Sequence, residues 1–228
     1  MAVVTISREY GSAGSVVARK AADLLGYHLL DKAAIGRILA GYGLVDFERQ
    51  YEAESGIWSA FDTRLRTLVT MLDHIAFSVA RHGHTVILGR GSYAVLAGLP
   101  GILNVRLRAP FEWRVSRTME EEGIDDRSEA QALVREGDKV RSSFVSSMYG
   151  LRWDSMEGFD LVLDSSRIGI GRAAAWIAEA ARAIPGARDG RAALGRDADG
   201  RLRGNDPTLD EALSVELGCP VGQPVSAI

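Results

Sequence analysis

Short apolar runs and longer stretches of helical period alternate from residue 2 to about residue 185. Ala2-Val3-Val4-Thr5-Ile6 is rich in β-branched residues and suits a buried strand. Helical patterning follows from Gly14 to Leu25, Tyr27-His28-Leu29-Leu30 reads as a second strand, and Asp31 stands where a helix cap belongs. Over 59–81 the apolar positions 61, 65, 68, 69, 72, 75, 76 and 79 share one helical face. Further strands are predicted at Thr85–Leu88, Asn104–Arg108 and Asp160–Leu163, with Pro110 opening a helix after the second of these and a last helix over 169–183. Strands that alternate with helices imply right-handed crossovers and a mostly parallel sheet, hence an α/β fold. Ligands of such sheets bind beyond the carboxyl ends of the strands, which singles out the loops at 7–15, 89–92 and 164–167.

Composition divides the chain near Pro185. Residues 186–228 contain no Phe, Trp or Tyr, and glycine recurs at 186, 190, 195, 200 and 204. Such a segment buries little apolar surface, so residues 1–185 are expected to form the domain and 186–228 a flexible tail. Thr208 and Glu211 make a capping-box pair there and predict one short helix. The 228 residues are 46% apolar and 25% charged, with a net charge of -3. No apolar run is long enough for a bilayer, and the N-terminus lacks signal-peptide patterning, so a cytoplasmic protein without a membrane partner is expected. The charge gives no reason to expect nucleic acid. A single cysteine, Cys219, excludes an intramolecular disulfide, and the four histidines lack zinc-site spacing. Oligomeric state is left open.

The loop Ser7-Arg8-Glu9-Tyr10-Gly11-Ser12-Ala13-Gly14-Ser15 joins the first strand to a helix, the order found in phosphate-binding loops. Backbone N–H groups of small residues can approach phosphate oxygens, and the helix N-terminus adds partial positive charge. Setting Ser15 on the last position of G-x-x-x-x-G-K-[ST] puts Gly14 at the lysine, Ala13 at the second glycine and Arg8 at the first. The lysine is absent. By itself the segment also reads as a tight turn that eases packing.

Five segments in order carry a more specific signal: Thr5–Ser12, Gly26–Arg37, Val86–Arg90, Glu112–Met119 and Leu161–Ser165. Together they resemble the cytidylate kinase-like family, a branch of the P-loop nucleoside monophosphate kinases whose own loop typically replaces the lysine. The resemblance spans about residues 2–184. It implies a three-layer P-loop NTPase fold, a mostly parallel sheet flanked by helices with a helical lid, over about 123–158. It also implies ATP as phosphoryl donor, Mg2+, and a nucleoside monophosphate acceptor, CMP or dCMP. Gly91 stands where cytidylate kinases commonly carry an aspartate, and no acidic residue ends the strand at 86–88.

The resemblance distributes roles. Backbone N–H groups of Gly11, Ser12, Ala13, Gly14 and Ser15 are expected on the donor phosphates, and the Ser15 hydroxyl on magnesium. Arg8 is expected to supply charge in place of the lysine, although an arginine does not mimic a compact ammonium; its plain reading is a surface pair with a carboxylate such as Glu9. Asp31, Arg37 and Arg90 are expected on the acceptor, with Arg8, Arg37 and Arg90 converging. The plain readings are a helix cap for Asp31 and a solvated helix residue for Arg37. Arg114 and Arg117 are expected beside the phosphates, or in ion pairs with Glu120–Glu122. In Asp138-Lys139-Val140-Arg141 the lid would bring Asp138 to the substrate and Arg141 to the transferring phosphate, closing out water. Two other functions fit the same residues: a catalytically weak nucleotide sensor, or a kinase of another small phosphate-bearing acceptor.

Overall fold

The structure is a computed structural model that describes residues 2–44, 63–184 and 207–217. Residues 59–62 of the expected long helix and residues 186–206 and 218–228 of the expected tail lie outside the described residues. Five strands, β1 (Val3–Arg8), β2 (His28–Leu30), β3 (Thr85–Leu88), β4 (Ile102–Arg108) and β5 (Leu161–Asp164), form one parallel sheet in the order β2-β3-β1-β4-β5. The helices between them are α1 (Gly14–Leu25), α2 (Lys32–Gly41), α3 (Thr63–His82), α4 (Ser92–Val95), α5 (Phe111–Glu122) and α6 (Arg127–Tyr149). Beyond β5 come α7 (Ser165–Ile168), α8 (Ile170–Ala183) and α9 (Pro207–Leu217). The single-turn helices α4 and α7 were not expected from the pattern, and β4 starts two residues earlier than the apolar run suggested.

Side chains alternate across the strands, so each strand feeds two cores. On one face Val4, Ile6, Val86, Leu88, Leu103, Val105, Leu107 and Leu163 pack under α1 and α8, whose Val17, Ala18, Ala173 and Ile177 are fully buried. On the other face Val3, Ile87 and Ile102 meet α2, α3, α6 and α9 through Ile35, Leu39, Leu72, Ile75, Phe144, Leu209 and Leu213. That second face also carries polar positions. Thr5 is paired with Asn104 in the β1–β4 register and Ser7 with Arg106. The Thr5 hydroxyl donates to Asn104 Oδ1 at 2.6 Å, and Arg106 Nη1 donates to Ser7 Oγ at 2.9 Å.

Two parts assigned to appendages in the sequence are packed into this frame. The 23-residue α6 begins at Asp126, whose side chain accepts from Ser128 N, and ends at the left-handed Gly150. It buries Ala130 and Val134 against Val115 of α5, then Val140, Phe144 and Val145 against the sheet-side core. From the tail, α9 lies across α2 and α3. Its Asp210 accepts from Ser78 and Arg81 and sits 3.3 Å from His82 Nε2, while Glu216 pairs with Arg37. No helix among the described residues is long and apolar enough to cross a membrane.

Candidate active site

β1 ends at the centre of the sheet, where its neighbours β3 and β4 also deliver their carboxyl ends. The loop leaving it turns into α1 at Ala13, which holds the left-handed conformation (φ 61°, ψ 22°). Ala13 thus adopts, as a non-glycine, the backbone that a motif glycine would take more cheaply. Ser12 is buried and donates to Glu9 O at 2.7 Å, so its hydroxyl stitches the loop instead of facing outward. The first-turn N–H groups at Gly14, Ser15 and Val16 have no intrahelical acceptor, since Val17 N is the first to reach back, to Ala13 O at 3.0 Å. They border an open cleft together with Arg8, Glu9, Tyr10, Gly11, Thr118, Glu121, Glu122 and Arg141. Ser15 is exposed and faces this cleft.

A pin holds the loop to α5 and α6. Asp138 on α6 accepts from Tyr10 N at 2.8 Å and from Arg114 Nη1 at 2.6 Å. Arg114, buried on α5, also donates to Tyr10 O at 3.0 Å and to Ala109 O at 3.1 Å, with Glu9 Oε2 3.6 Å away. Glu9 in turn accepts from Ala109 N at 2.9 Å. The Tyr10 ring packs against α6 at Gly137, where a Cβ would collide with it, and the Arg141 guanidinium lies 5.2 Å from the ring centre. Arg114 and Asp138, expected at the phosphates and the substrate, are therefore placed as the pin beneath the cleft and do not line it.

A second, narrower cleft opens between β1, β3 and α6. Its walls are Ser7, Arg8, Gly89, Arg90, Gly91, Ser92, Tyr93, Arg141, Val145 and Trp153, with no Asp or Glu among them. Arg8 reaches it by running over Gly14 and ending against Gly89, where any Cβ would collide with the guanidinium. Gly89, Arg90 and Gly91 are all left-handed, at φ 78°, 59° and 72°. For arginine that conformation costs on the order of 1 kcal/mol, and Arg90 is only 8% exposed. Strain of this kind concentrates where function demands a set side-chain direction. Beside Gly91 lies the Tyr149 ring, whose hydroxyl donates to Asp73 at 3.0 Å. Burial pushes the Asp73 carboxyl above its ordinary range, with the tyrosine bond pulling the other way.

The third cleft is lined by Arg8, Ser15, Arg19, Leu29, Asp31, Lys32, Ala33 and Leu88. Asp31 caps α2, accepting from Ala34 N at 3.0 Å, and meets Arg19 at 3.5 Å. Arg8 lines all three clefts, Ser15 the first and third, and Arg141 the first and second. Arg8 and Arg90 therefore converge. Arg37 does not join them: it is exposed on α2, held by Glu216, and lines none of these clefts. Arg117 pairs with Glu121 one turn on and lies 5.6 Å from the Trp113 ring, also off the cleft walls. Ser7, Arg106, Tyr10 and Trp153 were not singled out in the sequence. The alternation Asn104-Val105-Arg106-Leu107-Arg108 was the available signal, a polar side chain at every second position of a strand that had to be buried.

Residues 3–167 match the cytidylate kinase-like family. The chain belongs to that family. It is 30% identical over 176 residues to a cytidylate kinase of Methanopyrus kandleri, covering 72% of this chain and 85% of that protein. A cytidylate kinase of Pyrobaculum neutrophilum is likewise 30% identical over 176 residues, with 75% and 87% covered. An uncharacterised protein from Eubacterium ventriosum has a crystal structure that superposes with a TM-score of 0.62 at 19% identity, covering 80% of this chain and 99% of that one. Membership in the cytidylate kinase-like family makes this chain a nucleoside-monophosphate-kinase-like phosphotransferase, with a nucleotide phosphoryl donor and nucleotide substrates.

Proposed function

We propose that the protein transfers the γ-phosphoryl group of ATP to the phosphate of CMP or dCMP. The observation that carries this reading is the arginine cleft: Arg8, Arg90 and Arg141 line one small space that has no carboxylate among its described walls, and Arg8 and Arg141 also border the phosphate loop. Two anionic phosphates can thus be brought together across shared cations, which is most of what phosphoryl transfer requires. The donor phosphates lie along the amides of Gly14, Ser15 and Val16 in the first cleft. The acceptor phosphate lies in the arginine cleft, its nucleoside toward Asp31 and Lys32 in the third. An acceptor phosphate oxygen attacks the γ-phosphorus, the bond to the β–γ bridging oxygen breaks, and ADP leaves. Arg8 lies between the two sites and neutralises charge on both sides of the transferring group, in place of a loop lysine.

Magnesium fits this donor set. Mg2+ is usually held through one or two protein oxygens plus substrate phosphates and retained waters. The exposed Ser15 hydroxyl at the mouth of the loop offers one such oxygen, with Glu121 and Glu122 across the same cleft. When bound it would neutralise phosphate charge. Arg37 enters the acceptor site only if it exchanges Glu216 for ligand, so its role there is separate from that of Arg90.

The test is magnesium-dependent ADP release from ATP across the common nucleoside monophosphates. CMP- or dCMP-dependent turnover that falls about 10²-fold or more in kcat/KM with Arg90→Ala is expected. Absence of acceptor-dependent ADP with any monophosphate, despite ATP binding, overturns the reading.

A further inference from the structure

Arg106 is a buried cation with no ion pair among the described residues. It is 1% exposed, midway along β4. Its guanidinium lies 4.0 Å from the centre of the Trp153 ring and 5.9 Å from that of Phe159. Nη1 donates to Ser7 Oγ, while Nε finds no acceptor among the described residues. None of the described carboxylates forms an ion pair with it: Asp154, whose pKa it helps to lower, is paired with Arg152, and two others that act on it are held elsewhere. Glu9 serves Ala109 N and Arg114, and Asp138 serves Tyr10 N and Arg114. Burial accordingly pulls the Arg106 pKa down; Glu9, Tyr93 and Asp138 oppose this, and Arg141 adds to it. A buried cation without a counter-ion destabilises the molecule that holds it unless something restores the balance.

What it touches indicates what would restore it. Ser7 and Trp153 are both walls of the arginine cleft. The serine hydroxyl has one hydrogen to give and two lone pairs to receive. A guanidinium only donates, so the bond from Arg106 occupies a lone pair and turns the Ser7 hydrogen away from Arg106. Among the described residues no acceptor receives that hydrogen, and the cleft is the remaining direction.

We propose that Ser7 is an anion-binding donor of the arginine cleft and that Arg106 is its positioning residue, a fourth guanidinium acting from behind the wall on a dianionic phosphate. Arg106 acts twice: it orients the serine hydroxyl, and it adds positive potential in a dry interior where charge is weakly screened. This deepens the acceptor reading, on which its biological meaning rests, but the anion site can be tested without turnover.

The probe is sulfate, which stays a dianion across the working pH range, titrated calorimetrically into the full chain with ADP present to fill the loop. Ser7→Ala is expected to weaken sulfate binding about fivefold, and Arg106→Met at least about tenfold. The double variant should be no weaker than Arg106→Met alone, since the serine acts through its orientation. Without sulfate, Arg106→Met should melt no lower than the parent, because an uncompensated charge has gone. Sulfate affinity unchanged in either single variant overturns the proposal. If the Met variant fails to fold, Arg106→Lys carries the test: a desolvated ammonium loses its proton more easily than a guanidinium. Glu9, Tyr93, Asp138, Arg141 and Asp154, the titratable groups that act on position 106, are the same in both proteins, so sulfate affinity of the Lys variant should fall relative to the parent from pH 6.5 to 9. Parallel pH profiles overturn the proposal. For the enzyme, acceptor KM rises in Ser7→Ala with kcat little changed. Sulfate effects without any acceptor-dependent ADP leave the anion site standing while the kinase reading falls.

Discussion

The sheet presents two faces built from the same strands on different terms. Beneath α1 and α8 the inward side chains are apolar, from Val4 and Ile6 to Leu103, Val105 and Leu107. Toward α2, α3 and α6, β1 and β4 instead carry Thr5, Ser7, Asn104 and Arg106, all buried. Polar character on that face increases toward the carboxyl ends: a neutral hydroxyl–amide pair at Thr5–Asn104, then the cation at Arg106, then the arginine cleft. Burial of apolar surface is non-directional and tolerant, whereas each buried polar group requires a particular partner. The difference between the faces separates the part of the protein that holds it folded from the part that must remain receptive to an anion.

The largest effect expected from breaking this contrast is on the apolar side. Leu107→Ala should lower unfolding free energy by about 3 kcal/mol, read by chemical denaturation, while leaving sulfate affinity of the folded fraction as it was. A loss of affinity as large as that of Arg106→Met would show that the faces are not separable. On the polar side, Asn104→Leu alone strands the Thr5 hydroxyl and should cost about 1–2 kcal/mol. Adding Thr5→Val removes the stranded group, so the double variant should recover most of that loss in a double-mutant cycle. Additive losses would mean that the pair serves packing alone.

The smallest effect sharpens the comparison at its edge. Folded Asp73 holds its proton more tightly than the unfolded chain does. Its stabilising contribution is therefore whole below the unfolded carboxylate range and is lost as pH rises through the raised folded value. Asp73→Asn keeps an acceptor for Tyr149 and has no charge to bury. Its melting temperature should exceed that of the parent by about 2 °C or less near pH 7, with the advantage disappearing toward pH 4. An advantage that grows on acidification would reverse the sign and discard this account.

Most of the frame was legible because burial leaves periodic marks. Val3–Ile6, Thr85–Leu88 and the helix over 14–25 could be read from apolar spacing alone, and the loop between strand and helix from its small residues. Single turns such as α4 carry too few residues to show a period. The site was legible in kind but not in detail. Arg90 could be placed because it directly follows an apolar strand; Arg114 and Asp138 could not be told from ligand contacts, since a buried pin and a binding group use the same charged residues. For Arg37 the deciding partner is Glu216, 179 positions away, just past the short helix predicted in the tail, and nothing in the sequence says which residues that helix meets. Arg106 was missed for another reason: the strand 104–108 was read as a strand without asking what its alternate polar residues meet on the buried face.

The match to the family covers residues 3–167, yet the folded body does not stop there. Leu209 and Leu213 are fully buried, and Asp210 and Glu216 fasten α9 to Arg81 on α3 and Arg37 on α2. Anyone trimming a gene to the recognised boundary would therefore cut through a sealed surface. The shortened product would present the bare flanks of two helices to solvent, with their apolar seats open and with Arg37 and Arg81 deprived of the α9 carboxylates. A fusion partner or affinity tag belongs beyond α9, whose Leu213 is the last fully buried side chain among the described residues.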